Sequence, residues 1–437
     1  MKSQVLLIAF FSILSSPIVL YGQVWESTYG GTGTDIGHSV QQTTDGGYII
    51  AGETNLNEGN GRDVYLFKAD ENGVEQWNQT FGGTEVDRGF SFQQTTDGGY
   101  IITGFTLSFG SGGQDVYLIK TDGNGVEQWN QTFGGTDDDS GNSVQQTTDG
   151  GYIIAGRTKS FGSGSEDVYL IKTDGNGVEQ WNKTFGGTQW ESGSSVQQTT
   201  DGGYIIAGIT GSFGNGNGDV YLIKTDGNGA EQWNQTFGGT GADRSHSVQQ
   251  TTDGGYIIAG ETGSFGSESQ DVYLIKTNGD GVEQWNQTFG GTQWESGSSV
   301  QQTTDGGYII AGRTNSFGSG NQDVYLFKTD GNGVEQWNQT FGGTESDSGN
   351  SVQQTIDGGY IIAGETSSFG SESQDVYLIK TDSEGTLSSY FTIPTSPSNR
   401  KLKNVVDLLG REVTKTPNQI LFYIFDDGTV EKKFVVE

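Results

Sequence analysis

The tetrapeptide Asp-Gly-Gly-Tyr begins at Asp45, Asp97, Asp149, Asp201, Asp253, Asp305 and Asp357, 52 residues apart at every step and with no insertion. A period of this length marks a chain built from copies of one supersecondary unit, each burying its apolar face against the next. Seven copies fill Val24 to Leu387. Any fold proposed for the chain must therefore be a repeat architecture.

One unit reads as four strands, and the second copy shows them. Ser91 to Thr96 is polar and suits an edge beside a solvated channel. The turn Asp97-Gly98-Gly99 leads into Tyr100 to Gly104, and a Ser/Gly loop leads into Asp115 to Lys120. These two are continuous apolar runs, as expected of strands covered on both faces. Asp122-Gly123-Asn124-Gly125 is a hairpin turn of the kind that needs positive φ. Val126 to Phe133 is the fourth strand, with Trp129, Gln131 and Phe133 on one face. No proline lies between Val24 and Leu387 to interrupt the ladders.

Four strands repeated seven times predict an all-β, seven-bladed β-propeller. An open solenoid is the alternative, and the ends of the repeat region separate the two. The fourth-strand tryptophan recurs from Trp77 to Trp337, yet position 389, where the seventh should stand, is Ser389. The missing strand is found at the other end, as Val24-Trp25-Glu26-Ser27-Thr28-Tyr29, and Trp25 to Trp77 is again 52 residues. Only a ring uses this offset: the first strand completes the last blade and removes the free edges. Such a strand is outermost, so Ser-Val-Gln-Gln lines the channel. The turns that barely vary share one end of the ring. The loops that vary between copies share the other, the expected working face.

Composition narrows the function. The chain has 74 glycines, no cysteine, two histidines and a formal charge of −32. Cysteine metal sites and disulfides are excluded. Nucleic acid is not an expected partner of such an acidic chain. Residues 1–22 read as a signal peptide, with Lys2 ahead of an apolar stretch that Ser12, Ser15, Ser16 and Pro17 leave too short for a membrane span. The mature chain is expected to lack a transmembrane segment and to be monomeric. Residues 388–437 differ again, with seven bases against six acids, leaving −34 on the middle once Lys2 is set aside. The expected domains are thus 1–22, 23–387 and 388–437.

Two sets of acids recur. Asp35, Asp87, Asp139, Glu191, Asp243, Glu295 and Asp347 each stand ten residues before an Asp-Gly-Gly and are expected around the channel mouth. Asp63, Asp115, Asp167, Asp219, Asp271, Asp323 and Asp375 open the third strands. The first set is the candidate metal site, with calcium as the possible ion because hard cations take oxygen ligands. Hydrogen bonding to loop N–H groups is the other reading, and presence in every unit favours it. Asp122 to Phe133 fails the EF-hand pattern at Val126 and Phe133. The Gly-rich loops precede strands, so they offer phosphate no helix N-terminus. His38 and His246 occupy equivalent positions in units one and five and cannot share one catalytic triad. Trp190 and Trp294 occur only in units four and six, and Arg88 and Arg244 only in units two and five. These four are the candidate ligand-binding residues, with loop packing and pairing to nearby acids as the alternative. The Asn-Gln-Thr and Asn-Lys-Thr triplets on the fourth strands read as sheet composition.

The repeat, with Ser-Val-Gln-Gln-Thr, Asp-Gly-Gly-Tyr-Ile-Ile-Ala-Gly, Asp-Val-Tyr-Leu-Ile-Lys and Thr-Phe-Gly-Gly, resembles bacterial secreted β-propeller repeat proteins. The tail Lys401-Leu402-Lys403-Asn404-Val405-Val406-Asp407-Leu408-Leu409-Gly410-Arg411-Glu412, followed by Leu421-Phe422-Tyr423-Ile424-Phe425 and Val430-Glu431-Lys432-Lys433, resembles the C-terminal sorting domain of the type IX secretion system. That resemblance implies passage through the periplasm to the outer-membrane surface or medium of a Gram-negative bacterium, with the secretion machinery as partner. The combined expectation is a non-catalytic binding or adhesion propeller for glycan or protein ligands. The alternative is an extracellular glycan-active enzyme using carboxylates at the channel mouth.

Overall fold

The computed structural model describes residues 23–55, 61–267, 269–371 and 373–387, and in the tail 402–406, 411, 413, 419–425 and 430–435. The expected signal peptide and linker, and parts of the tail motif, lie outside the described residues. Residue contacts divide the chain into Met1–Leu387 and Ser388–Glu437.

The first unit is a seven-bladed β-propeller. Blade one comprises Ile36–Gln42, Tyr48–Thr54, Asp63–Ala69 and Glu75–Phe81, paired in that order. Five further blades repeat it, all antiparallel. Blade seven supplies Asp347–Gln354, Tyr360–Thr366 and Asp375–Thr381, and Trp25–Tyr29 adds its fourth strand, with Trp25 opposite Lys380 and Tyr29 opposite Val376. The ring is closed as the repeat offset requires. Among the described residues there is no helix.

The core is divided among seven joints between blades. At the joint of blades one and two, Ile49, Ala51, Val64 and Leu66 meet Phe92, Tyr100, Ile102 and Tyr117, with Trp77 at the outer margin. The same set recurs at the closing joint, where Ile361, Ala363, Val376 and Leu378 of blade seven meet Tyr48, Ile50, Tyr65 and Phe67 of blade one. This is why the second and third strands are buried at nearly every position, with apolar runs at their centres: one face belongs to each neighbouring joint. The outer strands are mostly exposed, with Phe81, Phe133, Phe185, Phe237 and Phe341 buried at their ends and Phe289 partly so.

Two glycines explain part of the excess. Each inner strand carries a bulge, between Gly89 and Ser91 in blade two, which brings the inner and second strands together. A Cβ on Gly104 would lie 1.7 Å from the Arg88 carbonyl oxygen, so no side chain fits there. Gly98 in the Asp-Gly-Gly turn has φ +84° and open space around it. Its glycine answers a backbone conformation, not crowding.

The second unit contains an antiparallel sheet of three strands, Leu402–Val406, Gln419–Phe425 and Val430–Val435, with Gln419–Phe425 central. Among the described residues no helix is long and apolar enough to cross a membrane.

Candidate binding face

The first acid set does not ring an open mouth. Asp35, Asp87, Asp139, Glu191, Asp243, Glu295 and Asp347 are all buried, at most 1% exposed. Each begins, or in blade one immediately precedes, an inner strand and ties down its own entry loop. Asp243 accepts from Gly239 N–H at 2.9 Å and Ser264 O–H at 2.5 Å, and also from Thr262 O–H. Glu191 accepts from Gly187 N–H at 2.8 Å, Thr210 O–H at 2.8 Å and Ser212 N–H at 2.9 Å. Glu295 repeats this with Gly291, Thr314 and Ser316. The second set caps the other loop: Asp115 accepts from Ser111 N–H at 2.8 Å and Asp167 from Ser163 N–H at 2.9 Å.

The two sets meet at each blade joint, beside the first glycine of Phe-Gly-Gly. A Cβ on Gly134 would lie 2.3 Å from Asp115 Oδ1 and 2.6 Å from Asp139 Oδ2. Burial, and then the neighbouring carboxylate, pushes Asp115, Asp219 and Asp323 above the ordinary carboxylate range. Asp35 is raised too, by burial foremost. Calcium takes ~6–8 oxygen ligands, whereas Glu191, Asp243 and Glu295 have both oxygens turned to N–H and O–H donors. The Oδ1 atoms of Asp87 and Asp139 are buried with no hydrogen-bond partner among the described residues. Among those residues no group of three or more acids or histidines is disposed to hold a metal. The arrangement is that of loop caps.

The opposite end of each blade uses acids differently. Lys120 is 2% exposed and reaches the Asp97 carboxylate at 2.9 Å and the Thr121 carbonyl at 2.8 Å. The equivalent turn aspartates of blades one to six are held down to about 2, since hydrogen bonds from Lys, Thr and Gly outweigh their partial burial. The two ends therefore pull stability in opposite directions with pH. The turn aspartates contribute stability that is complete above their unfolded value near 3.8 and lost as pH falls toward 2. The raised joint carboxylates contribute stability that is complete below 3.8 and lost as pH rises through their folded values. The expected melting temperature is higher at pH 4 than at pH 8 and falls again at pH 2.5. Thermal scans in 0.5 M salt, which screens surface repulsion, check this; a melt that stays flat or rises toward pH 8 contradicts it.

Variation between blades gathers where the second strand ends. Within Tyr-Ile-Ile-Ala-Gly-x-Thr, and its Thr103 variant in blade two, position x is Glu53, Phe105, Arg157, Ile209, Glu261, Arg313 and Glu365 in turn. Glu53 is 1% exposed and receives Arg62 Nη1, Arg88 Nε at 3.0 Å and His38 Nε2 at 3.9 Å. Burial pushes its carboxyl up, but His38, Arg88 and Arg62 together hold it below its ordinary value. Glu365, half-buried and with fewer such partners, is pushed up by loss of solvent. Glu261 repeats the pattern with Arg244 at 3.7 Å and His246 at 3.9 Å. Arg157 meets Glu166 at 3.1 Å, and Lys159 meets Asp138 at 2.9 Å. The glutamates at position x were not among the candidate residues. Aligning the seven copies column by column is the signal that finds them.

The four candidate ligand residues all lie at this end but do not converge. Arg88 and Arg244 pair with Glu53 and Glu261 in different blades, and Arg88 also lies 5.8 Å from the Phe105 ring. Trp190 rests against Gly211 and Gly218, where a Cβ would come within 2.9 and 3.1 Å of its ring. Trp294 carries the Arg313 guanidinium 4.1 Å over its ring, and its Nε1 is buried with no partner among the described residues. One face of Trp294 is therefore already occupied.

No protein-family model matches the chain. A stretch of 223 residues is 26% identical to the regulatory protein FlaEY of Caulobacter vibrioides, covering 43% of this chain and 23% of that protein. This chain thus spans less than a quarter of that relative's length. Among solved structures, the Pan2 WD40 domain of Neurospora crassa is similar with a TM-score of 0.48 at 10% identity, over 82% of this chain and 96% of that one. Sqt1 from Chaetomium thermophilum gives 0.45 at 10% identity, over 94% and 100%. BamB from Moraxella catarrhalis gives 0.41 at 12% identity, over 81% and 85%. At these values no ligand or activity carries over.

Proposed function

We propose that this chain is an exported, non-catalytic binding propeller that meets a glycan, or the surface of another protein, with its variable end. The observation carrying the reading is the confinement of variation. Every blade keeps the same strands, turns and joint carboxylates, while position x and its neighbours change from Glu to Arg to Phe at one end only. Constant blades with a variable rim are a scaffold presenting a surface. The partly exposed Arg62, Arg88 and Arg244 supply charged donors there. Delivery by type IX secretion rests on the tail's resemblance and on its strands being those of a small β-domain. Glycoside hydrolysis by joint carboxylates is disfavoured by their burial, because an acid pair must reach the scissile bond.

A glycan array read alongside a product assay tests this on protein purified from cells making the full-length chain, with the location of a chain ending at Leu387 followed by fractionation. The expected result is binding that falls at least tenfold in Arg88→Ala/Trp294→Ala, no released sugar, and periplasmic retention of the truncated chain. Cleavage of a bound glycan, or normal export without the tail, overturns the corresponding part. Loss of all array binding leaves the protein-surface partner, read by cross-linking on intact cells.

A further inference from the structure

The inner strands line an axial cavity of ≈ 260 Å³. An inner strand has no sheet neighbour on its channel side, and its N–H groups need acceptors. Glutamine side chains supply them. The Gln41 Oε1 accepts from Gln94 N–H of the next blade at 2.9 Å. The same bond runs from Gln93 to Gln146, from Gln145 to Gln198, from Gln197 to Gln250, from Gln249 to Gln302 and from Gln301 to Gln354, at 2.5–2.6 Å. Gln353 closes the circle on Gln42 N–H at 2.6 Å. Seven side chains thus bind seven inner strands into one girdle around the axis.

This fixes the orientation of every amide. A glutamine amide has one acceptor oxygen and one NH₂ group. With the oxygen committed to a backbone N–H, the NH₂ is the remaining group, and a flip would set donor against donor. None of these seven Nε2 atoms has a protein acceptor among the described residues, and all seven glutamines line the cavity. The rest of the lining is uncharged, formed by Val40, Phe92 and their equivalents. A ring of carbonyl oxygens around an axis selects cations. A ring of amide donors is its electrostatic inverse.

We propose that the axial cavity is a binding site for a small oxyanion or carboxylate, held by the amide N–H groups of the seven channel glutamines. At ≈ 260 Å³ the cavity has room for a tetrahedral oxyanion or a single carboxylate. The site is independent of the variable end and does not rest on the proposed function.

Isothermal titration of the full chain with sulfate and, separately, with acetate tests this, alongside crystals soaked in selenate. The expected result is one anion per ring, with selenate anomalous density on the axis within hydrogen-bonding distance of the Nε2 atoms. Sulfate in preference to acetate assigns a tetrahedral oxyanion, and the reverse assigns a carboxylate. The variant Gln41→Glu/Gln197→Glu keeps an oxygen for Gln94 and Gln250 N–H while replacing two NH₂ groups by oxygen. It should weaken anion binding at least tenfold and leave the circular-dichroism spectrum unchanged. Should that variant not fold, Gln41→Glu alone is expected to weaken binding about threefold. Water alone on the axis, or equal affinity in wild type and a folded variant, overturns the proposal.

Discussion

Removing Trp25–Tyr29 is expected to lower the melting temperature by about 10 °C and to produce oligomers. The strand pairs with Asp375–Thr381 of blade seven, yet its aromatic side chains pack on blade one: Tyr29 on Phe67, with ring centroids 4.7 Å apart, and Trp25 on Tyr48, at 5.7 Å. Trp25 Nε1 also donates to the Glu71 carbonyl at 3.1 Å. Losing two such aromatics costs ~3–5 kcal/mol each, a large part of the ~5–15 kcal/mol by which a domain is stable. For a ring of this size that corresponds to about 10 °C. The deletion also bares the edge of Asp375–Thr381, a template for pairing with another chain. Calorimetry and size-exclusion chromatography read both effects. An unchanged melt and a monomer contradict the role given to the strand.

The second large effect comes from one methyl group. Gly104→Ala is expected to cost more than ~4 kcal/mol, the range reserved for changes the fold cannot absorb. Its Cβ would stand 1.7 Å from the Arg88 carbonyl oxygen, so the bulge itself must open. Gly98→Ala should cost only ~1–2 kcal/mol, the ordinary cost of a left-handed non-glycine residue, because nothing lies within 4 Å of its Cβ. Urea denaturation of the two variants measures the difference; equal costs contradict the close approach assigned to Gly104.

Much of this fold was legible because identical copies repeat the same signals. The second and third strands of blade two were expected at Tyr100 to Gly104 and Asp115 to Lys120, and they run Tyr100–Thr106 and Asp115–Thr121. The inner strand was expected from Ser91, but it begins at Asp87. The bulge hides those four residues, since an extra residue breaks the alternation by which strands are read. The misplacement of the acids has a related cause. An aspartate reads as exposed from its type alone, and only the folded loop shows the N–H and O–H donors that let it be buried. The girdle was invisible for another reason. Ser-Val-Gln-Gln looked like a solvated edge, because a glutamine that accepts from a neighbouring blade is no different in sequence from one that faces water.

The closing strand also sets an order of assembly. Trp25 and its partner Lys380 are separated by nearly the whole ring, so the blade that receives the earliest-made strand is the last that can be finished. Six blades have all four of their strands within one contiguous stretch and can form as they emerge. The seventh must wait for the two ends of the ring to meet, at the entropic cost of closing a very long loop. Until the ends meet, the ring has no seal, and the outer edge of Asp375–Thr381 stays open.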